Sequence, residues 1–322
     1  HFWPWQVLFL SLALVAGFGG LLIRYVVRQD RQAMQIQAVE LAANIEQRIR
    51  GSKGSLRATG TAFAFVPNID DGFFTSYFKG LQFDLGYRDA VSVGWMVPVP
   101  PRRLSALEAR MRAEGNSDFF VWPITNDRLY YAMPYVQPDT ARNKKVIGYN
   151  MYSEPVRRLA MLKAYESGMP QATGPVILRQ DTGRSEQPGF LLFVPVYDAT
   201  RRQGNEAPTK TAFRGFVYAA FRLDRLVNVA VKSGQKDRLD IEFYDVTDGG
   251  QQLLYDSRPE IWSAKNKDNI GTTMTVAGRR WELIVAPVYS WEFRNFPQRV
   301  LVYFLLATGV LVSLLVSLMV WL

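Results

Sequence analysis

The segment SEPVRRLAMLKAYES, residues 153–167, combines a helix start with a basic pair and is the best candidate for ligand chemistry. Ser153 is expected to cap the helix, and Pro155 falls in the first turn, where a proline gives up no needed hydrogen bond. Arg157 stands at the edge of an apolar arc and can reach a pocket, whereas Arg158 points away from that arc. The arc is formed by Val156, Leu159, Ala160 and Ala164.

Arginine carries a planar fork of donors that suits a carboxylate or a phosphate. Neighbouring predicted strands bring aromatic side chains toward the same helix, namely Tyr130, Tyr131, Tyr135 and Phe193. This combination predicts an aromatic-walled site for a small anion or an aromatic acid. The alternative is that Arg157 pairs with an acid such as Glu154 or Asp181 and that the aromatic residues are ordinary core.

The residue types that most catalytic schemes need are absent. His1 is the only histidine, and the chain has no cysteine. A histidine-based triad, a histidine or cysteine metal site and a thiolate nucleophile are therefore excluded from the central region. Neither of the glycine-rich nucleotide-binding loops occurs. We expect no catalytic residue, no metal site and no cofactor in this segment, and binding is a better hypothesis than catalysis.

The 322 residues carry 38 lysines and arginines against 29 acids, a formal net charge of +9. The basic residues are scattered and accompanied by acids, so we expect a surface that faces anionic lipid and no nucleic-acid partner.

Apolar blocks at the two ends of the chain predict transmembrane helices at 3–23 and 297–322. A signal peptide is the alternative for the first block. The residues between the blocks then lie on one side of the membrane. We expect that side to be the periplasm and the membrane to be the bacterial inner membrane, because long domains translocate largely regardless of their charge.

The region 24–65 is polar but has apolar residues at helical spacing, which predicts a long stalk helix. The stripe is either the face of an ordinary core-packing helix or a face shared with a second copy in a parallel homodimer. It consists of Met34, Ala38, Leu41, Ile45, Ile49, Ser52, Leu56 and Phe63.

Two sets of strands and helices follow the stalk. The first set, 66–200, and the second, 213–292, are separated by a polar linker at 201–212. The second set starts with RGFVYAAF and ends with GTTMTVAG and RRWELIVAPVY, which we expect to form a hairpin. The order of elements predicts an α+β fold with antiparallel sheets in a membrane-distal and a membrane-proximal domain.

The runs GYNMYSEPVRRLAMLKAYESGMPQATGPVILRQD, PGFLLFVPVYDA, RGFVYAAFRLDRLV and IEFYDVTD resemble, in this order and spacing, the CHASE domain. CHASE domains are extracellular sensors of cyclases and histidine kinases. The resemblance implies a stalk helix, two PAS-like domains with the ligand in the distal one, and a homodimer. It also implies that the second span signals to a cytoplasmic diguanylate cyclase, phosphodiesterase or histidine kinase.

The resemblance also implies positions for the pocket residues. Plant receptors of the family bind adenine-type ligands with an aspartate that falls at Arg157. A pocket threonine of those receptors falls at Phe193, and a leucine whose backbone contacts the ligand falls at Arg179. Thr173 matches a pocket-region threonine. The predicted ligand-binding residues are thus Arg157, Thr173, Arg179 and Phe193, with Tyr131 and Tyr135 added on chemical grounds.

These observations predict the sensory and transmembrane region of a bacterial signalling receptor for a small extracytoplasmic molecule. The alternative is a periplasmic module that interacts with a protein or a lipid and has no small-molecule pocket.

Overall fold

The structure, a computed structural model, describes residues 3–81, 87–181, 188–199, 212–231, 239–259, 269–288 and 296–321. Helix α1 runs without a break from Trp3 to Ala64, so the first apolar block and the stalk form one helix. The predicted stalk helix is confirmed, and its stripe is buried along its whole length. Packing against this chain's own sheets accounts for that burial.

Each end of the chain carries one apolar helix. Helix α1 and the final helix, from Phe296 to Trp321, are both long and apolar enough to cross a membrane. The two helices pack on each other through glycines. A Cβ at Gly19 would collide with Leu306, and a Cβ at Gly309 would lie 3.7 Å from the Cβ of Val15. Small residues therefore let the helix backbones approach closely, as in membrane helix pairs.

This helix packing predicts a specific crosslink. Val15→Cys combined with Gly309→Cys should form a disulfide within one chain, because the Cβ separation of 3.7 Å lies in the range that disulfides require, about 3.5–4.5 Å. The chain has no cysteine of its own to compete. Oxidation of the full chain in membranes, followed by non-reducing electrophoresis, measures the yield. Gly17→Cys with Gly309→Cys is the control, because no atom lies within 4 Å of a Cβ at Gly17. Equal yields would contradict the packing.

The first sheet has strands β1 (Ala90–Val99), β2 (Tyr130–Gln137), β3 (Gln171–Ala172), β4 (Gly189–Tyr197) and β5 (Phe213–Arg222). Their order is β2-β1-β5-β4-β3, and every neighbouring pair is antiparallel. The accompanying helices are α2 (Asp71–Gly80), α3 (Leu104–Ala113), α4 (Ala141–Lys144), α5 (Pro155–Ser167) and α6 (Leu223–Ala230). The final helix is α7.

The assignment of residues 213–222 to the second set of strands is wrong. Strand β5 pairs with β1 on one side and with β4 on the other, so it is the central strand of the first sheet. Its residues from Phe216 to Phe221 are all buried, because helices cover both faces of the sheet there. The predicted linker 201–212 therefore connects two paired strands, and residues 201–211 lie outside the described residues.

The second sheet contains β6 (Leu239–Asp245), β7 (Gln252–Asp256), β8 (Ile270–Val276) and β9 (Arg279–Pro287), in the order β7-β6-β9-β8. All of its pairs are antiparallel. The predicted hairpin is confirmed as β8 and β9. Its turn residues, Ala277 and Gly278, have φ of 41° and 84°, as a two-residue hairpin turn of type I′ requires.

Helix α1 joins the two sheets into one fold. It packs on one face of the first sheet, where Gly60 lies against Val194 and Val196, and it also contacts β8 and β9 of the second sheet. Helix α5 packs on the opposite face of the first sheet. The predicted α+β class with antiparallel sheets is confirmed, and the face under α5 is the one that holds the predicted helix site.

Candidate ligand-binding site

Helix α5 begins and ends at residues that satisfy its backbone. Glu154, and not Ser153 as predicted, is the N-cap: its carboxylate accepts hydrogen bonds from the N–H groups of Val156 (3.1 Å) and Arg157 (2.9 Å). Ser153 instead donates its hydroxyl to the carbonyl of Asn150. Glu154 is the N-cap residue because its side chain reaches the two N–H groups of the first turn that have no partner within the helix.

The face of α5 that packs on the sheet differs from the predicted arc. Arg157 lies at the centre of the buried face, whereas Val156 and Leu159 are exposed. Two small residues at helical spacing, Ala160 and Ala164, let the helix approach the sheet closely. Compared with the predicted arc, the helix is rotated about its axis so that Arg157 faces the sheet. Arg157 is therefore more deeply buried than the helical wheel indicated.

The guanidinium of Arg157 is buried with few partners. The residue is 2% exposed, and its Nη2 donates to the carbonyl of Ile177 at 2.9 Å. Its Nε and Nη1 have no hydrogen-bond partner among the described residues. The nearest carboxylate oxygen, on Glu154, is 3.9 Å from Nε. Burial lowers the pKa of this guanidinium, and an incompletely paired buried cation costs folding free energy.

The alternative pairing with Asp181 does not form, because other arginines bind that carboxylate. Arg142 forms a short ion pair with Asp181, and Arg222 lies 3.3 Å from its second oxygen. The alternative pairing with Glu154 is present only as a long ion pair, with 3.9 Å between Nε of Arg157 and the carboxylate oxygen. That carboxylate already accepts two backbone hydrogen bonds at the helix start. The charge of Arg157 is thus only partly compensated.

Tyr149 is a residue that the sequence interpretation did not single out. The guanidinium carbons of Arg157 and Arg179 lie 5.2 Å and 5.3 Å from the centre of its ring. Arg179 also donates its Nε to the Tyr149 hydroxyl at 3.4 Å. The structure therefore brings Arg157 and Arg179 together on one buried aromatic ring, and each cation is favoured by the ring face.

The other predicted residues beneath α5 are closely packed. Thr173 is fully buried, and its hydroxyl accepts the N–H of Leu191 at 3.0 Å, which ties β3 to β4. Phe193 and Tyr131 belong to the same apolar cluster as α5. They form a wall of the site, together with the fully buried Tyr218. Burial raises the pKa of the Tyr218 hydroxyl, and the nearby Arg157 opposes that change.

Tyr135 lies on the opposite face of the sheet, away from Arg157. Strand β2 has two residues between Ala132 and Tyr135, where β1 has only one between their partners Val97 and Trp95. Such a bulge reverses the alternation of side chains, so Tyr131 and Tyr135 point to different faces. The Tyr135 hydroxyl donates to Glu114 at 2.5 Å. Burial and the Glu114 carboxylate raise its pKa.

A cleft of about 670 Å³ opens beside Tyr135, at the edge of the sheet formed by β2. Its wall combines aromatic and charged residues, including Asp71, Glu114, Phe119, Phe120, Trp122 and Lys144. The sequence interpretation did not anticipate this cleft, because its residues come from separate elements.

One long helix lies across two antiparallel sheets, and each end of the described chain carries a helix long and apolar enough to cross a membrane. The CHASE domain family matches residues 67–255, more than half of the chain. The chain belongs to this family, and the predicted resemblance is confirmed.

Several solved structures are similar to this chain at low sequence identity. The periplasmic sensory domain of the Campylobacter jejuni chemoreceptor Tlp1 is 11% identical, with a TM-score of 0.50 over 81% of this chain and 95% of that one. An extracellular ligand binding receptor from Desulfohalobium retbaense is 12% identical, with a TM-score of 0.48 over 77% of this chain. This chain spans 39% of that receptor. The ligand binding domain of the Pseudomonas aeruginosa amino acid chemoreceptor PctC, in complex with GABA, is 12% identical. Its TM-score is 0.46 over 80% of this chain and 98% of that one. No curated protein matches the sequence.

Proposed function

We propose that the chain is the sensory and membrane-spanning region of a bacterial receptor, which binds a small molecule under α5 and controls a cytoplasmic output domain. In this proposal α1 and α7 cross the inner membrane and both sheets lie in the periplasm. The first sheet is a distal PAS-like domain, which its strand order β2-β1-β5-β4-β3 supports. The second sheet is a proximal PAS-like domain, and the output is a diguanylate cyclase, a phosphodiesterase or a histidine kinase.

The observation that carries the proposal is a direct link between the site and the second sheet. Ala172 in β3 donates its N–H to the carbonyl of Ala277, at the tip of the β8–β9 hairpin, at 2.9 Å. The next residue, Thr173, lies in the candidate site and bonds to β4. A rearrangement at the site that displaces β3 therefore moves the hairpin whose second strand leads toward α7.

Side chains reinforce this link. Gln171 in β3 lies so close to Gly278 that any side chain at 278 would collide with its amide. The ring of Phe190 in the first sheet packs edge to face on the ring of Trp281 in the second, with 4.8 Å between the ring centres. Both aromatic residues are fully buried, so the two sheets share a packed contact that can transmit a displacement. A ligand changes the output only by binding one arrangement of this contact better than another.

A chimera tests the proposal. The full chain is joined after Leu322 to a diguanylate cyclase reporter, and cyclic-dinucleotide synthesis is measured in membranes with and without the small-molecule dialysate of yeast extract. The dialysate should change the synthesis rate of the wild type. Gly278→Ala should reduce that response, because the new Cβ pushes the amide end of the Gln171 side chain away from the hairpin tip.

Gly249→Ala is the matched control. Gly249 has φ of 82° against 84° at Gly278, so both substitutions impose the same backbone strain. Because no atom lies within 4 Å of a Cβ at Gly249, the response of the Gly249→Ala chimera to the dialysate should stay near that of the wild type. Equal losses in the two variants would remove the support for transmission through the hairpin. A wild type that ignores the dialysate would overturn the small-molecule proposal.

The second candidate function is an interaction module for a periplasmic protein or a lipid. The outer face of α5 favours it, because Val156, Leu159 and Leu162 are exposed there beside Met169 and Ile177. In the chimera experiment, this function predicts a response to the retained macromolecules and none to the dialysate. A homodimer through α1 is compatible with both functions and stays a proposal.

A further inference from the structure

We infer that the cleft beside Tyr135 is a second binding site, which takes a small organic cation with an ammonium head and an apolar body. Its volume of about 670 Å³ falls within the usual range for small-molecule pockets, about 300–1,000 Å³. The cleft lies at the β2 edge of the first sheet, and neither Arg157 nor any other residue of α5 lines it. It is therefore separate from the site under α5.

Negative charge predominates on the wall of the cleft. The described residues that line it include four acids, Asp71, Glu114, Asp118 and Asp139, and two bases, Lys144 and Lys145. Lys144 is paired with Asp139, with 3.0 Å between Nζ and the carboxylate oxygen, so these two charges compensate each other. Asp71 and Asp118 form no ion pair with a described residue. The remaining wall therefore attracts a cation and repels an anion.

The carboxylates of Asp71 and Glu114 act on each other. Partial burial raises the pKa of Asp71, and the negative charge of Glu114 raises it further. Glu114 is fixed in place, because one of its oxygens accepts the Tyr135 hydroxyl at 2.5 Å and the other lies 3.5 Å from Nε of Arg110. Repulsion between two carboxylates is relieved when a cation binds beside them. An uncharged ligand would leave that repulsion unchanged.

Aromatic residues supply the apolar part of the wall. Phe119 and Tyr135 are buried, Trp122 is half-buried, and Phe120 is 57% exposed. Trp122 already donates its indole N–H to the carbonyl of Ile147 at 3.1 Å, so it offers a ligand its ring and no free donor. Aromatic rings attract organic cations and also pack on apolar groups. The combination of acids and rings therefore suits an organic amine better than an inorganic ion.

The test compares amines with neutral analogues of the same shape. The full chain in nanodiscs of zwitterionic lipid is titrated by calorimetry with butylamine, phenethylamine and benzylamine, and with the N-acetyl derivative of each. At least one amine should bind the wild type 10-fold or more tightly than its N-acetyl derivative. A hydrogen bond to a charged group supplies about 1.5–3 kcal/mol, which corresponds to a factor of ten or more.

Variants assign that binding to the cleft. Asp71→Asn should weaken amine binding about 10-fold, because it removes a carboxylate that has no ion-pair partner. The exposed position of Asp71 in the first turn of α2 leaves the core intact. Lys145→Gln should strengthen amine binding, because it removes the lining cation that has no carboxylate partner among the described residues. Opposite changes in affinity are not expected from loss of structure alone.

Glu166→Gln is the matched control. Glu166 is an exposed acid on α5 and does not line the cleft, so its substitution changes the net charge as Asp71→Asn does. This variant should bind amines like the wild type. Equal weakening in Asp71→Asn and Glu166→Gln would mean that only the net charge attracts amines, and the inference would fall. It would also fall if no amine binds more tightly than its N-acetyl derivative, or if Asp71→Asn binds amines like the wild type. None of these substitutions lies at Arg157, so such a failure leaves the proposed site under α5 untouched.

Discussion

Replacing Arg157 with methionine is expected to raise the melting temperature of the ligand-free chain. The guanidinium is 2% exposed, makes one hydrogen bond and leaves two nitrogens without partners in the described structure. Methionine keeps an unbranched stem of similar length and removes the cost of desolvating the charge. Replacing a buried ion pair by well-packed apolar side chains is often neutral or stabilising by about 1–4 kcal/mol, and an incompletely paired charge has less attraction to lose. The lost bond to Ile177 and the lost ring contact offset part of that gain, so we expect about 1–2 kcal/mol.

In a domain of this size, each kcal/mol corresponds to roughly 2–4 °C. Circular dichroism of the full chain in nanodiscs, without carboxylates in the buffer, measures the shift. The control is Arg158→Met, because Arg158 donates its Nε to the carbonyl of Tyr152 at 2.7 Å and its side chain is 36% exposed. That variant should melt at or slightly below the wild-type temperature. A clear drop in the melting temperature of Arg157→Met would mean that the guanidinium stabilises the fold, and the physical basis for the predicted anion site would be lost.

The stalk shows what a sequence pattern specifies well. Every residue of the predicted stripe, from Met34 to Phe63, is buried in the structure. A helix has one fixed period, so the side chains on one face can be read directly from their spacing. Strand β5 shows the opposite case. Its assignment failed because a nearly continuous apolar run records only that both faces are covered, and not which sheet the strand joins.

The site was partly predictable for a similar reason. Arg157 could be found because a charged residue stands next to an apolar arc within one helix. Tyr149 and Glu154 could not, since their roles depend on tertiary contacts to Arg179 and on the length of a capping side chain. Tyr135 was predicted on the wrong face because a bulge in β2 changes the alternation of its side chains. The position of a bulge depends on the pairing with β1, so it cannot be read from the sequence of β2 alone.

Gly148→Ala is expected to cause the largest loss of stability of the substitutions considered, about 4 kcal/mol or more. Gly148 has φ of 76°, and an L side chain in this left-handed region costs about 1–2 kcal/mol by itself. The new Cβ would also collide with the backbone carbonyl of Phe120. That carbonyl cannot move aside easily, because the next two N–H groups are fixed: Val121 donates to Glu108, and Trp122 donates to the carbonyl of Gly148.

Gly168→Ala separates strain from collision. Gly168 ends α5 with φ of 67°, close to that of Gly148, and no atom lies within 4 Å of its added Cβ. Its substitution should cost only the left-handed backbone penalty, about 1 kcal/mol. Denaturant unfolding of both variants measures the difference, and limited proteolysis replaces it if Gly148→Ala does not fold. Similar stabilities would mean that the segment before Tyr149 is not held against Phe120. In that case the position of the tyrosine between its two arginines, on which the predicted anion site depends, would lose its structural support.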